Sequence, residues 1–349
     1  MITIGVDFHK RSSSYTVLDE RGIMINRCKL ENAREHIEHF LRRWQGQKQL
    51  AMEATYNWGI YYDVAQPCVD HFLLGHPYKM RAITESETKC DRHDATTIAR
   101  LAMINYFPKA YAPAREARDL RSLVRFRNFL VRQRAAVRNN TQALIDRNIW
   151  PADRPQSFKN IYCKRGMAWL EEVSLPIKER FILNELIKTF QQLAAQIREA
   201  ESYIEQAACD MPEVGHLRTI PGLRTSKIHL YTILFEIDTI SRFAKARDLA
   251  RYAGLIPSEH SSGDKHRTGR LVKRANTILR TALIEATFAA ILTDAHLKAY
   301  YRTVKTRNNS SAAVIACARK LSYAIYHVLK EHRSFRPFPP AAASGPSAT

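Results

Sequence analysis

Short stretches of alternating or continuous apolar residues open the chain, near positions 2–8, 14–19 and 23–30, with Asp19-Glu20-Arg21-Gly22 between the last two. Runs of this length bounded by turn-forming residues predict three strands in an antiparallel meander. The period then lengthens: Ile37, Phe40, Leu41 and Trp44 fall on one helical face. Gln49–Glu53 reads as a strand, Trp58–Ala65 as a helix, Val69–Leu74 as a strand, and a last helix runs from about Asp91 to Tyr106. If the fourth strand joins parallel beside the first through a right-handed crossover, the sheet order is 3-2-1-4-5. The order then switches between strands one and four.

From Arg115 to Trp150 the pattern is that of one long helix carrying nine arginines against three acids. Arg118, Arg121, Arg125 and Arg132 share one face, which suits either a solvated surface or contact with a nucleic-acid backbone. Pro151 and Pro155 break the helix, and residues 156–176 read as irregular. A second long helix follows, in which Leu183, Leu186, Phe190, Leu193, Ile197, Ala200, Ile204 and Ala207 form a heptad seam. The seam needs a partner helix, in this chain or in another copy. Past Pro212, Ile220-Pro221-Gly222-Leu223 reads as a turn into a helix through Leu230, Ile233, Leu234 and Ile237. A Gly/Ser-rich basic loop is predicted over residues 258–270, with helices at about 273–292 and 311–331. The stretch from Pro337 to Thr349 has a disordered composition.

With 349 residues the chain is long enough for two cores. Its 54 basic and 34 acidic side chains leave a net charge of +20, which points to a polyanion as partner. No run approaches the roughly 18 apolar residues of a membrane span. Met1 opens directly into the strand-like Ile2-Thr3-Ile4-Gly5-Val6, with no secretory leader, so a cytoplasmic location is expected. The six cysteines lie far apart without a Cys-x-x-Cys pair and read as reduced thiols. Cys90 and His93 have ligand-like spacing, but two residues do not make a zinc site.

Asp7 sits within an apolar strand and Glu53 ends another, so the expected sheet order brings both to the switch point, where ligands bind. Asp91 and Asp94 lie three apart on a helix whose inward stripe continues through Ile98, Leu101 and Ala102. Taken singly, each has a plain structural explanation: Asp7 could bond strand-end amides, Asp91 could cap its helix, and Asp94 could sit in the first turn. Together, four converging carboxylates would repel one another, and divalent metal removes that penalty. A hard, all-oxygen donor set suits Mg²⁺ or Mn²⁺, and two such ions could clamp a scissile phosphate.

The second constellation runs from Gly254-Leu255-Ile256-Pro257 through Ser258-Glu259-His260-Ser261-Ser262-Gly263 to Asp264-Lys265-His266-Arg267-Thr268-Gly269-Arg270, with Lys273 and Arg274 beyond. Serine beside glycine allows close approach to a ligand, and Lys265, Arg267, Arg270, Lys273 and Arg274 favour a phosphate there. A serine hydroxyl needs a base, or a metal polarising its target, before it is a good nucleophile. Read alone, the loop suits a phosphate anchor better than a catalyst.

Together the two constellations resemble the insertion-sequence "one-ten" transposases, also called bridge-RNA-guided or seek-type serine recombinases, over most of the chain. Ile4-Gly5-Val6-Asp7 with Lys10, the Glu53 strand, and Lys89-Cys90-Asp91-Arg92-His93-Asp94-Ala95 resemble the family's N-terminal DEDD pattern. That resemblance implies Asp7, Glu53, Asp91 and Asp94 as catalytic metal ligands. Tyr252-Ala253-Gly254-Leu255 through Ser261-Ser262-Gly263 to Gly269-Arg270 and Lys273-Arg274 resemble its serine domain, whose nucleophile directly precedes the glycine and is Ser262 here. Implied are an α/β ribonuclease-H-like (RuvC-like) catalytic domain over 1–110, a long-helix coiled-coil region over 111–209, an all-α transposase domain over 210–335 and a disordered tail over 336–349. The implied reaction cuts and rejoins donor and target DNA through a transient phosphoserine link, supported by metal-bound carboxylates. A structured noncoding bridge RNA would select both DNAs, and a homo-oligomer, dimer to tetramer, would complete the site. Arg224 stands where the family usually has a second glycine, and Asp264 and Ala275 where glycine is common.

Two other readings compete. In a junction-resolving nuclease the carboxylates would activate water, and no covalent intermediate would form. A non-catalytic nucleic-acid scaffold would gain no stability from Mg²⁺ or Mn²⁺. The heptad seam further suggests a site shared between protomers; the alternative packs it on the Arg115–Trp150 helix of the same chain.

Overall fold

The opening stretches are strands β1 (Ile2–Phe8), β2 (Ser12–Leu18) and β3 (Met24–Glu31), paired antiparallel in sequence order. β1 and β2 are buried on both faces and therefore nearly continuously apolar or small, whereas the edge strand β3 alternates exposed and half-buried positions. After helix α1 (Arg34–Arg42), β4 (Lys48–Glu53) lies parallel to β1. After helix α2 (Trp58–Ala65), β5 (His71–Gly75) lies parallel to β4. Helices α3 (Pro77–Thr84) and α4 (Asp91–Met103) precede a two-residue strand, β6 (Lys109–Ala110), antiparallel to β5. The sheet order is β3-β2-β1-β4-β5-β6. The expected five-strand order and its switch between β1 and β4 are present. β6 and α3 were not predicted, because two residues have no period and α3 has little amphipathic contrast.

The computed structural model describes residues 1–84, 91–155, 160–262, 265–271 and 274–337, and the side chains of these except 81–93 and 258–273. The chain divides into two units, Met1–Arg115 and Glu116–Thr349. In the first, one sheet face packs Ile4, Val6, Tyr15, Leu50 and Met52 against Ile37, Phe40, Leu41, Tyr61 and Val64 of α1 and α2. On the other face Ala51 meets Met80, Ile98, Leu101, Ala102 and Phe107. There α4 lies almost on the strand backbone: a Cβ on Gly5 would stand 2.1 Å from Ala95 O and 2.5 Å from Ala99 N. Its far end, Met103, reaches Gly22 in the β2–β3 turn, so α4 runs antiparallel to β1. Thr96 Oγ1, bonded to Thr16 Oγ1 (3.0 Å) and to Arg27 Nη2 (2.9 Å), fixes its rotation.

The second unit opens with the long helix α5 (Arg115–Asn148) and continues through α6 (Lys164–Glu172) into α7 (Ile177–Ala208). The buried row of α7 runs through Leu183, Ile187, Ile197, Ala200, Ile204 and Ala208. Its partner is α5: Leu130 and Val131 meet Leu193, Ile197 and Ala200, while Leu144 and Ile145 meet Leu183 and Ile187. Arg127 and Glu201 (2.6 Å) add an ion pair between the two helices. The seam is therefore filled within the chain and gives no argument for a second copy. Part of the 156–176 stretch, read as irregular, is helical: α6 is short, and its Leu170 is buried in the α5–α7 cluster.

Helices α8 (Pro212–Leu217), α9 (Lys227–Ile237), α10 (Ala246–Tyr252), α11 (Thr277–Thr293), α12 (Ala295–Arg307) and α13 (Ser310–Lys330) complete the unit. Most of them share a core that includes Leu217, Leu230, Leu249, Leu279, Leu283, Leu321 and Ile325. α12 lies between the two expected helices, in a stretch the sequence reading left unassigned, and Asp294 caps it by accepting from Leu297 N (2.6 Å). The basic loop over 258–270 is instead an antiparallel ribbon, β7 (Pro257–Ser262) with β8 (Lys265–Leu271). This corrects the all-α expectation for the C-terminal region. Apart from Pro257, Gly269 and Leu271 the ribbon's residues are polar, and its backbone pairs without the apolar alternation that marks a strand in sequence. The tail expected to be disordered lies outside the described residues from 338 onward.

Gly5→Ala should destabilise the protein by about 1–3 kcal/mol, because the added methyl meets helix backbone that cannot yield locally. Gly215→Ala, with nothing within 4 Å of the added methyl, should be neutral in the same urea titration. Equal midpoints for both would mean that α4 does not rest on β1.

Candidate active site

Asp7 is the penultimate residue of β1 and Glu53 the last of β4. The parallel register ends at Val6 opposite Met52, so one further step sets Asp7 beside Glu53, where the strand order reverses. Asp7 is largely buried, with 16% of its side chain exposed, and its Oδ2 lies 2.9 Å from His9 Nε2. The seating of α4 on Gly5 then places the remaining acids along the same line. From Ala95 back to Asp91 the helix rises about 6 Å, and from Gly5 to Asp7 the strand advances about the same. The first turn of α4 thus reaches the Asp7 end of β1. Asp94 is exposed, and the side chain of Asp91 lies outside the described residues, as do Cys90 and the ring of His93.

Among the described residues no three His, Cys, Asp or Glu side chains form a group able to hold a metal ion. The structure brings Asp7, Glu53 and the opening turn of α4 to one sheet edge but does not display a closed four-carboxylate cluster. The donors are all carboxylates, which fits a hard divalent cation.

Ser262 ends β7 and pairs with Lys265, the first residue of β8, in the last registered pair of the ribbon. The side chains of Ser262, Lys265, Arg267 and Arg270, and all of Lys273, lie outside the described residues; Arg274 is exposed. The base of the ribbon is held firmly. Gly254 has φ +69°, and a Cβ there would lie 2.0 Å from Arg280 Nη2, whose guanidinium bonds Ala253 O through Nε (3.0 Å). Asn276 N donates to Tyr252 O (2.9 Å), and Asn276 Nδ2 reaches Tyr252 Oη (3.1 Å) and Glu236 Oε2 (2.7 Å).

Glu236 is fully buried and changes the reading of the arginine row. Arg125 grips its carboxylate with Nε (2.8 Å) and Nη2 (3.0 Å), which holds the Arg125 guanidinium above its ordinary pKa. Arg121 is buried and donates to the carbonyls of Phe235 (3.1 Å) and Glu236 (3.2 Å) at the end of α9. Arg121 is an interior tie between α5 and α9, and Arg125 bridges the same two helices from a half-exposed position, so the row is not a uniformly free cationic face. Arg118 is half-buried and Arg132 exposed. Helical spacing shows which residues share a face but not what packs on it. A signal was present, since Glu236 is the lone acid in an otherwise uncharged run from His229 to Ile237, and a buried acid demands a cation.

Paired carboxylates at the switch point of an α/β sheet, in a chain of net charge +20, suit an enzyme that acts on the phosphodiesters of a polyanion. A DEDD-type model described as "Transposase" matches residues 4–149, and a model described as "Transposase IS116/IS110/IS902 family" matches residues 214–302. The chain belongs to this transposase family, whose class cuts and rejoins DNA and whose DEDD-type domain suggests divalent metal use. It is similar to a "Probable family 20 transposase" of Pseudomonas aeruginosa, at 27% identity over 76% of this chain and 80% of the relative. The "Transposase for insertion sequence element IS1111A" of Coxiella burnetii is 25% identical over 71% and 68%. A "Pilin gene-inverting protein" of Moraxella bovis is 32% identical over 40% of this chain and 45% of its own length. No described helix is long and apolar enough to cross a membrane.

Glu236→Ala should cost about 3 kcal/mol, the lower end for a broken buried pair because Arg125 keeps half of its side chain in solvent. Arg132→Ala should change stability by less than about 0.5 kcal/mol. Urea unfolding followed by circular dichroism checks both, and a Glu236→Ala midpoint equal to wild type would show that the network does not hold α5 to α9.

Proposed function

We propose that this transposase has a RuvC-like N-terminal domain in which Asp7, Glu53, Asp91 and Asp94 hold Mg²⁺ or Mn²⁺, and that Ser262 is the nucleophile toward DNA. The observation that carries the reading is the register of β1 and β4, which sets Asp7 beside Glu53 at the reversal of strand order, with the first turn of α4 reaching the same edge. The order of a three-stranded meander followed by two parallel strands supports the RuvC-like assignment. When bound, divalent metal would stabilise charge on the attacking and leaving oxygens of the phosphate. In the proposed step the Ser262 oxygen bonds to phosphorus and loses its proton, while the phosphorus–sugar oxygen bond breaks and the departing oxygen takes up a proton. A second strand's hydroxyl reverses the exchange and frees the serine. Guidance by a structured bridge RNA, and assembly into a dimer or tetramer, rest on the family resemblance; Lys265, Arg267, Arg270, Lys273, Arg274 and the exposed Arg132 are the cations proposed to meet nucleic acid.

Asp7→Asn and Asp94→Asn should each abolish strand exchange on the flanks of the element while leaving the melting temperature within a few degrees of wild type. Full activity in EDTA would remove the metal from the reaction. Protein–DNA adducts trapped in denaturant should vanish in Ser262→Ala and persist in Ser261→Ala. The reverse pattern would move the nucleophile by one residue, and an active wild type without adducts would favour water-based hydrolysis.

A further inference from the structure

Two phenylalanine rings stand together in the open on α5. Phe126 and Phe129 are 52% and 47% exposed, with ring centroids 6.5 Å apart and planes 21° from parallel. The buried side of the helix makes no use of them: Val124 packs in the core of the second unit with Leu230 and Leu279, and Leu130 packs on Ile197 and Ala200 of α7. A ring pair three residues apart adds little to a helix, and α5 is already held on both of those sides. Adjacent large apolar side chains left in solvent mark a surface that meets a partner.

The surroundings of the rings decide which partner. Residues 120–145 of α5 carry six arginines and no acid. Phe129 follows Arg125 by four positions and precedes Arg132 by three, the spacings at which side chains of a helix meet. Arg132 is exposed. Arg125 commits Nε and Nη2 to Glu236 (2.8 and 3.0 Å), yet half of its side chain faces solvent and no described residue takes its Nη1. Glu236 offsets the charge of Arg125, so Nη1 offers a directed donor, while Arg132 supplies net charge. A second copy packed by the same face would set arginine against arginine. A partner that brings both planar π-faces and anions fits, and that is a strand of nucleic acid with unpaired bases. A duplex does not fit, because it keeps its base faces stacked inside and presents only edges.

We propose that Phe126 and Phe129 form a stacking platform for unpaired bases of a DNA strand, whose phosphates meet Arg132 and Nη1 of Arg125; this rests on the nucleic-acid contact proposed above for Arg132. DNA is the strand assigned because cutting and rejoining it frees strand ends, where bases lose their partners. The platform also adjoins the root of the ribbon: Arg125, next to Phe126 in the chain, bonds Glu236, which accepts from Asn276 Nδ2 (2.7 Å). Stacking on a ring accepts any base, so the platform holds a strand without choosing its sequence.

The test compares binding of the full chain to oligothymidine and to an abasic oligomer of equal length and charge, both fluorescein-labelled, by fluorescence anisotropy. Wild type should bind oligothymidine more than about tenfold more tightly. Phe126→Ala and Phe129→Ala should each weaken oligothymidine about five- to tenfold and leave the abasic oligomer unchanged. Leucine at either position, which keeps an apolar side chain but no ring, should act as alanine does and replaces it if an alanine variant fails to fold. Arg132→Gln should weaken both oligomers alike and flatten the salt slope. Equal binding of the two oligomers by wild type, or an unchanged ratio in the phenylalanine variants, overturns the platform and leaves the Arg132 contact standing. If those variants instead dissociate a wild-type oligomer in sedimentation, the face belongs to a second copy, and a ring effect on oligouridine alone gives it to RNA; either result overturns the inference. Binding of neither oligomer overturns the underlying contact, and the platform with it.

Discussion

The approach of α4 to β1 at Gly5 is the constraint on which the N-terminal unit depends. Side chains normally keep a helix about 10 Å from a sheet. Here Gly5, Ala51, Ala95 and Ala99 remove them, and helix backbone meets strand backbone. Because α4 runs antiparallel to β1, the close seat translates a sequence position on the helix into a place along the strand. A larger residue at position 5 would lift the helix, and the acids of its first turn would leave the Asp7 end. The same orientation points the positive end of the helix dipole at the carboxylate edge, which offsets part of the repulsion between acids there. It does not remove that repulsion, so the demand for a cation remains.

Glu236 plays the corresponding part in the second unit. A buried carboxylate is tolerable only when its oxygens are saturated, and here Arg125 and Asn276 supply the donors. Each donor comes from a different element: α5 for Arg125, the cap of α11 for Asn276, with Tyr252 of α10 bonded to the same amide. The requirement therefore ties together the segments on either side of the ribbon that ends at Ser262. Arg280 and Gly254 lock the ribbon's exit in a second way, by a fit that no side chain at 254 could share. The segment carrying the proposed nucleophile is mostly polar, yet its root is closely specified.

Much of this was legible in the chain, and the parts that were not share a physical cause. Strands β1 to β5, helices α4, α5 and α7, and the switch point carrying Asp7 and Glu53 follow from apolar periodicity. That signal reports burial against a core. β6 is two residues long and the β7–β8 ribbon is mostly polar in sequence, so neither leaves a periodic apolar trace. Arg121 was misplaced for the opposite reason: a charged residue reads as exposed unless its buried partners are noticed first.

The distribution of charge separates affinity from selection. Even if every one of the 34 acids were paired with a cation, 20 basic side chains would remain, so attraction to a polyanion belongs to the whole chain and survives the burial of Arg121 and the pairing of Arg125. Such attraction is to phosphate and carries no sequence information. The same would hold for the proposed attack of Ser262 on phosphorus, since every nucleotide offers the same phosphodiester. A transposase that acts at particular DNA sites must therefore draw its selectivity from groups that read bases. The contacts described in both units are with backbone, carboxylate or core, and the sites proposed for DNA meet phosphates or base faces, which every nucleotide offers. Base pairing by the RNA proposed above would supply such selectivity without demanding a base-reading surface from the protein, and the basic excess would hold that RNA as readily as the DNA.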